Sequence, residues 1–291
     1  KSPMKKAARI SDYINVAARY QRSVNLAHDW KTSESLDGYI ITPNVLNALA
    51  TVCGGITKSN GQRAFSLIGH YGAGKSAFTV FLSKILSKDK MAEKALLNLD
   101  AEFKHLVTDF ASLHAGKAEG FLTVPVTARR QAIGRVIIEA FAEAFSRLNK
   151  TRSVQNCIVS IQKSLENSDW KDSRVVAGHL EKLEREALEQ GYAGILLMVD
   201  EAGKTLEYAL QDRETGDIQV FQEIAELANR KRDFPVLFII TLHQMFSDYV
   251  DLVDRNTQQE WNKVQERMQT IQFAESAAAT VRLVGGAFHI T

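Results

Sequence analysis

Residues 65–86 read "FSLIGHYGAGKSAFTVFLSKIL", a stretch that leads from an apolar segment through three glycines into a helical pattern. Its centre, Gly69 to Ser76, fits G-x-x-x-x-G-K-[ST]. In this pattern the glycines let backbone N–H groups surround a phosphate, and the N-terminus of the following helix adds a favourable dipole. Lys75 is expected to contact terminal phosphates and Ser76 to bind magnesium. The stretch therefore predicts a phosphate-binding loop.

The flanks of the loop have the required order of strand, loop and helix. Residues 63–69, RAFSLIG, predict a short strand, and apolar residues recur after the motif at helical spacing, at Phe78, Phe81, Leu82 and Ile85. The alternative is a glycine turn with a solvated lysine, which this order disfavours. The nucleotide-binding residues are predicted to be Gly69, His70, Tyr71, Gly72, Ala73, Gly74, Lys75, Ser76 and Ala77.

The composition is that of an ordinary globular protein. The 291 residues are 45% hydrophobic and 24% charged, which is enough material for one large core or two unequal domains. The net charge of +2 gives no nucleic-acid footprint. One basic cluster lies near the start, and we interpret it as a solvated tail rather than a binding patch: Lys1, Lys5, Lys6, Arg9, Arg19 and Arg22.

The sequence contains no apolar run of membrane-spanning length and no signal-peptide pattern, so we expect a soluble, cytoplasmic protein without membrane contact. Cys53 lies on an apolar helical stripe and Cys157 lies beside Ile158. Both are expected to be buried thiols rather than a disulfide or a metal pair. The seven histidines show no metal-ligand spacing, which argues against a structural metal.

Further strands are predicted around the loop. Residues 120–128 alternate apolar and small polar side chains, and Pro125 lacks an N–H group, so this strand should lie at a sheet edge. Residues 194–201 and 234–244 are continuous apolar runs, which is typical of central strands in a parallel sheet covered by helices. A short last strand is expected at residues 268–273.

Helical periodicity predicts the covering layers. Thr42 and Pro43 are expected to start a helix that Gly54 and Gly55 end. The segment 87–120 should be helical with interruptions. Further helices are predicted over residues 133–148, 154–165, 179–190, 216–232 and 257–267.

Two carboxylates end the strand at residues 194–201. Ligands of open α/β sheets bind at the carboxyl ends of the strands, so Asp200 and Glu201 should project beside the loop. Asp200 is predicted to hold magnesium, directly or through water, and Glu201 to orient and polarise the attacking water. Alone, such a pair could be an ordinary polar cap, but the upstream loop favours the catalytic interpretation.

Other polar residues are placed where a γ-phosphate or water could be sensed. The strand predicted at 234–244 ends in Thr241, His243 and Gln244, and the sequence leaves open whether Thr241 or His243 acts as the sensor. Arg267 directly precedes the last strand. It is interpreted either as a solvated cation at a helix end or as a finger that reaches the nucleotide of a neighbouring subunit.

With these residues in place, the sequence resembles an AAA+ ATPase over residues 36–273. The resemblance implies an α/β fold: a P-loop NTPase three-layer α/β/α sandwich of AAA+ type, with a parallel five-stranded sheet whose second strand lies at the edge. It implies ATP and Mg²⁺ as cofactors and a homo-oligomer. In this family's terms Lys75 and Ser76 match Walker A, Asp200 and Glu201 match Walker B, Thr241 matches sensor 1, and Arg267 matches the arginine finger acting in trans.

Several segments are also similar to the large ATPases of bacterial BREX-type phage-defence systems: LDGYIITP, GHYGAGKSAF, VDEAGKTLEYAL, LHQMFSDY and EWNKVQERMQTIQF. This resemblance implies other defence-complex subunits as partners and leaves DNA open as one. By analogy, the main chain around LDGYIITP would contact the adenine. The expected organisation is an N-terminal helical and basic segment at 1–35, an ATPase core at 36–275 with helical insertions near 88–119 and 147–192, and the start of a lid at 276–291. No sensor 2 arginine is identifiable, which is compatible with a fragment of a longer protein.

The expected function is magnesium-dependent ATP hydrolysis that powers or switches a larger complex. The alternative is a nucleotide-gated scaffold with little hydrolysis. A GTPase is disfavoured, because NKVQ at Asn262 lacks the aspartate of the guanine-reading motif N-K-x-D.

Overall fold

The computed structural model describes residues 14–16, 24, 26–32, 36, 39–58, 61–212, 218–250 and 255–290. In this part of the chain the strands are β1 (Ile14–Val16), β2 (Ala64–Ile68), β3 (Phe121–Thr127), β4 (Gly194–Asp200), β5 (Val236–Leu242), β6 (Gln269–Gln272) and β7 (Phe288–Ile290). The helices are α1 (Leu26–Asp29), α2 (Pro43–Thr57), α3 (Lys75–Leu86), α4 (Lys90–Leu97), α5 (His105–Leu113), α6 (Ile133–Arg147), α7 (Arg152–Glu166), α8 (Ser173–Glu189), α9 (Gly203–Gln211), α10 (Gln219–Asn229), α11 (Phe246–Val250), α12 (Arg255–Glu266) and α13 (Ala277–Ala287).

Two predictions fall partly or wholly beyond these residues. The basic residues near the start of the chain lie outside the described residues, and so do Asp37 and Gly38 of the segment LDGYIITP.

Five strands of the described chain form one parallel sheet in the order β3-β4-β5-β2-β6. The edge position predicted for the strand that contains Pro125 is confirmed, since β3 pairs with β4 alone. All five strands run in the same direction, so the carboxyl ends of β2, β3, β4 and β5 meet at one rim of the sheet. This rim is where open α/β sheets bind their ligands.

Helices cover both faces of this sheet. Alternate residues of each central strand point to opposite sides, and the apolar side chains on each side pack against a helical layer. Leu197 and Phe238 belong to the core beneath α6, α7, α8 and α10, whereas Leu196 and Leu237 belong to the core beneath α2, α3, α4 and α5. The structure is therefore the predicted three-layer α/β/α sandwich. Cys53 and Cys157 are buried free thiols, as predicted.

The helix end predicted at Gly54 and Gly55 is wrong. Helix α2 continues through both glycines to Thr57, and Lys58 is its C-cap. A Cβ atom on Gly55 would lie 2.1 Å from Gln62 O. The glycine therefore permits a close backbone approach and does not end the helix.

The sequence did not predict helix α9 or the antiparallel pairing of β1 with β7, and the short helix α1 lies in the segment 1–35 that was expected to be helical without bounds for any helix. Helix α1 packs against the edge strand β3. Beside it, Arg147 donates a hydrogen bond to Thr123 O at 2.7 Å and stacks on the Trp30 ring at 4.8 Å. These contacts shield the free edge of the sheet, an edge that would otherwise offer unpaired backbone groups.

One hydrogen bond connects the start and the end of the sheet domain. Thr42, the N-cap of α2, donates its hydroxyl to Glu275 Oε1 at 2.6 Å, three residues beyond β6. None of the described helices is long and apolar enough to cross a bilayer.

Candidate nucleotide site

The loop between β2 and α3 has the geometry of a phosphate cradle. Gly72 and Gly74 have φ values of 78° and 89°, the left-handed region that glycine adopts without strain. Gly69 lies against Phe273, the residue that follows β6, and a Cβ atom added to Gly69 would be 2.2 Å from Phe273 O. Helix α3 begins at Lys75, and its N-cap Gly74 provides no side-chain cap, so the first N–H groups of the helix remain available for an anion.

Lys75 lies inside this loop. Only 5% of the residue is exposed, and its Nζ donates hydrogen bonds to Gly69 O and, at 2.9 Å, to His70 O. Burial lowers the pKa of Lys75, and the charges of Asp200 and Glu201 oppose that shift. The ammonium group is thus held at the loop, facing two carboxylates, where it can contact phosphate oxygens.

Asp200 lies at the end of β4 and connects the loop to the sheet. Its Oδ1 accepts hydrogen bonds from Ser76 Oγ at 3.0 Å and from Thr241 Oγ1 at 2.6 Å. Ser76 and Asp200 thus present two oxygen atoms side by side. Hydroxyl and carboxylate oxygens are the ligand types that magnesium prefers, so the donor set fits this ion.

Glu201 directly follows β4 and has a φ of 55°, an uncommon value for a residue with a side chain. Its backbone N–H donates to Thr241 Oγ1 at 2.8 Å, and its side chain accepts a hydrogen bond from Lys204 Nζ at the start of α9. Thr241 therefore holds the backbone of Glu201, and Lys204, three residues later, contacts its carboxylate and partly compensates its charge.

His243 follows β5 and stacks on Tyr71 of the loop, with ring centroids 3.5 Å apart and planes 23° apart. Both ring nitrogens are shielded from solvent and have no hydrogen-bond partner among the described residues. Burial lowers the pKa of His243, and the nearby charge of Lys75 lowers it further.

These side chains surround a cavity of about 530 Å³. The cavity is lined by the loop residues from Tyr71 to Ala77, the acidic pair, Thr241 and His243. Sequence reasoning missed three further lining residues, Val24, Leu26 and Thr127. Thr127 ends β3 opposite Asp200, so a polar residue at the carboxyl end of the predicted edge strand was a usable signal; the two apolar residues come from a segment without any motif.

Arg267 is not among the residues that line this cavity. Its backbone carbonyl accepts hydrogen bonds from Gln62 at 2.6 Å and Asn229 at 2.9 Å, which places it near the amino end of β2. Its Nε donates to Glu226 Oε1 at 2.6 Å, and this contact lowers the pKa of Glu226. Arg267 therefore lies at the opposite end of the sheet from the nucleotide loop of its own chain.

No family model and no curated protein matches the chain. Among solved structures, the chain is similar to the Aeropyrum pernix ORC1 protein, which was solved in complex with DNA. The identity is 12% and the TM-score is 0.42; the match covers 95% of this chain and 55% of the ORC1 chain. The chain thus spans about half the length of that protein.

The class of the protein follows from its own geometry. A parallel five-stranded sheet lies between two helical layers, and a glycine-rich loop connects β2 to α3 at the carboxyl rim. A lysine begins that helix, and Asp200, the first member of the acidic pair, ends β4. This combination is the P-loop NTPase fold.

Proposed function

We propose that the protein binds ATP with Mg²⁺ in the cavity at the β2–α3 loop and hydrolyses it. The observation that carries the proposal is the hydrogen bond between Ser76 Oγ and Asp200 Oδ1 at 3.0 Å, next to the buried Lys75. This bond brings the Ser76 hydroxyl next to the acidic pair, which supports a site for phosphoryl transfer.

Each residue has a distinct role in this proposal. Backbone N–H groups of the loop and Lys75 Nζ bind the phosphates, and Ser76 and Asp200 would hold the metal. Magnesium, when bound, neutralises charge on the transferred phosphoryl group. Glu201 orients the attacking water by accepting a hydrogen bond from it, which requires that its contact with Lys204 open or shift.

We further propose that the ATPase is of AAA+ type and acts as a homo-oligomer. The sheet order supports this, because the strand after the P-loop helix lies at the edge next to the strand that bears the acidic pair, as the AAA+ resemblance implies. Arg267 would act on a neighbouring subunit. Subunits of a phage-defence complex and DNA remain proposed partners that rest on the sequence segments alone.

A nucleotide-gated scaffold with little hydrolysis is the second candidate. The contact between Glu201 and Lys204 favours it, since the carboxylate that would orient the water is already engaged by an ammonium group. Turnover by the wild-type protein decides between the two candidates.

The test measures ATP binding by calorimetry and phosphate release in the presence of Mg²⁺. Lys75→Ala should weaken ATP binding about 10- to 100-fold, because a charge-assisted contact to the phosphates is lost. Lys94→Ala, which removes an exposed lysine of α4, is the matched control and should bind as the wild type does. Unchanged ATP affinity in Lys75→Ala would overturn the site.

Glu201→Gln separates hydrolysis from binding. The amide keeps the shape of the side chain but cannot act as the charged base, so turnover should fall by about 100-fold or more while ATP still binds. A wild-type protein that binds ATP without turnover, at all protein concentrations, would instead support the scaffold.

A further inference from the structure

Helix α1 connects the nucleotide cavity to a point outside it. The helix packs against the edge strand β3 and against α3, the helix that follows the phosphate loop. At its start, Val24 and Leu26 line the cavity, and Leu26 also belongs to the buried core beneath α3. Directly after its end, Trp30 contacts Arg147, the last residue of α6. One short element therefore touches the cavity at one end and the far end of α6 at the other.

Stacking on Trp30 holds the outer end of α1. The guanidinium of Arg147 lies 4.8 Å from the centroid of the Trp30 ring and the ammonium of Lys31 lies 5.4 Å from it, and cations are attracted to the face of an indole. Arg147 also donates a hydrogen bond to Thr123 O of β3 at 2.7 Å. Lys31 pairs with Glu143 at 3.1 Å, but both side chains are about half exposed, so this ion pair contributes little. The stack of Arg147 on Trp30 is thus the main attachment among the described contacts.

This attachment has the features of a contact that is only just stable. Helix α1 has four residues, too few for a helix to be stable by itself. Trp30 Nε1 and Thr123 Oγ1, in the two residues that Arg147 contacts, are shielded from solvent and have no hydrogen-bond partner among the described residues. Buried polar atoms without partners are costly. The position of α1 therefore depends on the contacts at both of its ends, and a ligand at one end can shift the balance.

We propose that Trp30 and Arg147 are positioning residues for the nucleotide and that they act through α1: their stack keeps the start of α1 at the cavity, and a bound nucleotide in turn keeps α1 on the edge of the sheet. The inference rests on the proposed function and deepens it. Neither Trp30 nor Arg147 is among the described residues that line the cavity, so both act at a distance. Coupling between two sites is reciprocal, so a change that loosens the stack must weaken nucleotide binding.

The first experiment measures the affinities of ADP and ATPγS, both with Mg²⁺, by calorimetry and kcat by phosphate release. In Trp30→Ala and Arg147→Met both affinities should fall by about 3- to 10-fold, because α1 then occupies its docked position for only part of the time. The kcat should change by less than about 2-fold, since no group at the phosphates is altered. Trp30→Phe keeps an aromatic face for the guanidinium and should retain most of the affinity. Arg135→Met, which removes an arginine of α6 that contacts Glu139 of the same helix, is the matched control.

A second measurement follows the attachment in the wild-type protein and does not depend on the folding of an Arg147 variant. Trp30 is one of three tryptophans, so the difference between the emission spectra of the wild type and of Trp30→Phe isolates its fluorescence. Saturating ADP with Mg²⁺ should change this fluorescence, because the nucleotide fixes α1 and with it the ring against Arg147. A role of Trp30 in folding alone would leave the emission unchanged.

The outcomes separate this inference from the proposed function. If the wild type binds both nucleotides and Trp30→Ala and Arg147→Met bind them equally well, the coupling is wrong and the nucleotide site stands. An unchanged Trp30 emission at saturating ADP, or a Trp30→Phe protein that binds as weakly as Trp30→Ala, would also overturn the inference. If the wild type binds neither nucleotide, the proposed function fails, and the inference fails with it.

Discussion

Thr241 is the residue that orients both members of the acidic pair. One hydroxyl group contacts the carboxylate of Asp200 at 2.6 Å and the backbone N–H of Glu201 at 2.8 Å. The second contact holds a residue whose φ of 55° is uncommon for a residue with a side chain, so the position of the Glu201 carboxylate depends on it.

Replacing Thr241 by valine should therefore lower turnover more than binding. Valine has nearly the same shape but removes both hydrogen bonds, and we expect kcat to fall by about 10-fold or more with ATP affinity changed by less than about 3-fold. Steady-state phosphate release and calorimetry measure the two quantities. Thr241→Ser keeps the hydroxyl and should retain most of the turnover; equal losses in both variants would contradict this role.

A second residue-scale prediction concerns His179, which is buried between α7 and α8. Its Nε2 contacts Ser164 Oγ at 2.9 Å, and burial, assisted by the charge of Lys182, lowers its pKa to about 4. The nearby charge of Asp169 opposes this shift. Because the unfolded chain takes up a proton near pH 6.5 and the folded chain near pH 4, the stabilisation is complete above pH 6.5 and is lost as the pH falls towards 4.

The contribution of His179 should amount to about 3 kcal/mol at most. Urea unfolding at pH 7 and at pH 4.5 measures it, with His179→Gln as the variant that cannot titrate in this range. The loss of stability between the two pH values should be smaller in the variant than in the wild type. An equal loss in both proteins would assign the pH dependence to other groups.

At the scale of elements, two helical glycines have opposite surroundings. A Cβ atom on Gly134 of α6 would lie 2.1 Å from Trp170 O, whereas a Cβ atom on Gly178 of α8 would meet nothing within 4 Å. Gly134 therefore permits close packing of α6 against the turn before α8. Gly178 has no such function and carries only the entropic cost of glycine in a helix.

The two alanine substitutions should thus change stability in opposite directions. Gly178→Ala should stabilise the protein by about 0.5–1 kcal/mol, and Gly134→Ala should destabilise it by about 1–3 kcal/mol because the backbone of residue 170 must shift. The midpoint and slope of urea unfolding report both values. A stabilising Gly134→Ala would show that this contact can relax without cost.

The elements that could be predicted from sequence are those whose residue pattern indicates how they are buried or where they lie in the sheet. The apolar runs of β4 and β5 indicated burial on both faces, and Pro125 indicated an edge. Gly55 misled the prediction, because a glycine at a close contact between α2 and Gln62 looks the same in sequence as a glycine that ends a helix. Helix α9 was missed because the acidic pair just before it was interpreted only as the end of a strand.

The candidate site divides in the same way. Lys75, Ser76, Asp200 and Glu201 are recognisable because they lie at fixed positions in local motifs. The stacking of Tyr71 on His243 and the position of Thr127 depend on how β3, β5 and the loop are placed in three dimensions. Sequence separation conceals such contacts, since no local pattern records which strand ends are neighbours.

At the scale of the whole molecule, Arg267 lies near the amino end of β2, whereas the loop of the same chain follows the carboxyl end of β2, so Arg267 does not contact that loop. If it acts on a neighbouring subunit, Arg267→Ala should bind ATP normally but lose most of its turnover, since an arginine finger is worth about 10³–10⁵ in rate. Mixing it with the Lys75→Ala protein should restore part of the activity, because a shared site can combine an intact loop with an intact arginine. Turnover of the wild type should also rise with protein concentration.

The intrachain contact of Arg267 provides the control for this prediction. Glu226→Gln loosens the ion pair but leaves the arginine in place, so it should keep turnover. If Arg267 only fastens α12 to α10, both variants should lose stability alike and the mixture should show no rescue. A monomeric wild type with full turnover at every concentration would also rule out the shared site.

The hydrogen bond between Thr42 and Glu275 brings together the two residues that flank the five-stranded sheet in the sequence. The two residues are 233 positions apart in the chain, but Thr42 Oγ1 and Glu275 Oε1 are only 2.6 Å apart. A short linker could therefore join them in a chain that runs from residue 42 to residue 275. That chain could be reopened at the exposed turn around Gly116, between α5 and β3, without separating neighbouring strands of the five-stranded sheet. A circular permutant made in this way would carry its β3 strand first and its phosphate loop near the end, and it should fold to the same sheet because strand neighbours are set by packing and not by their order along the chain.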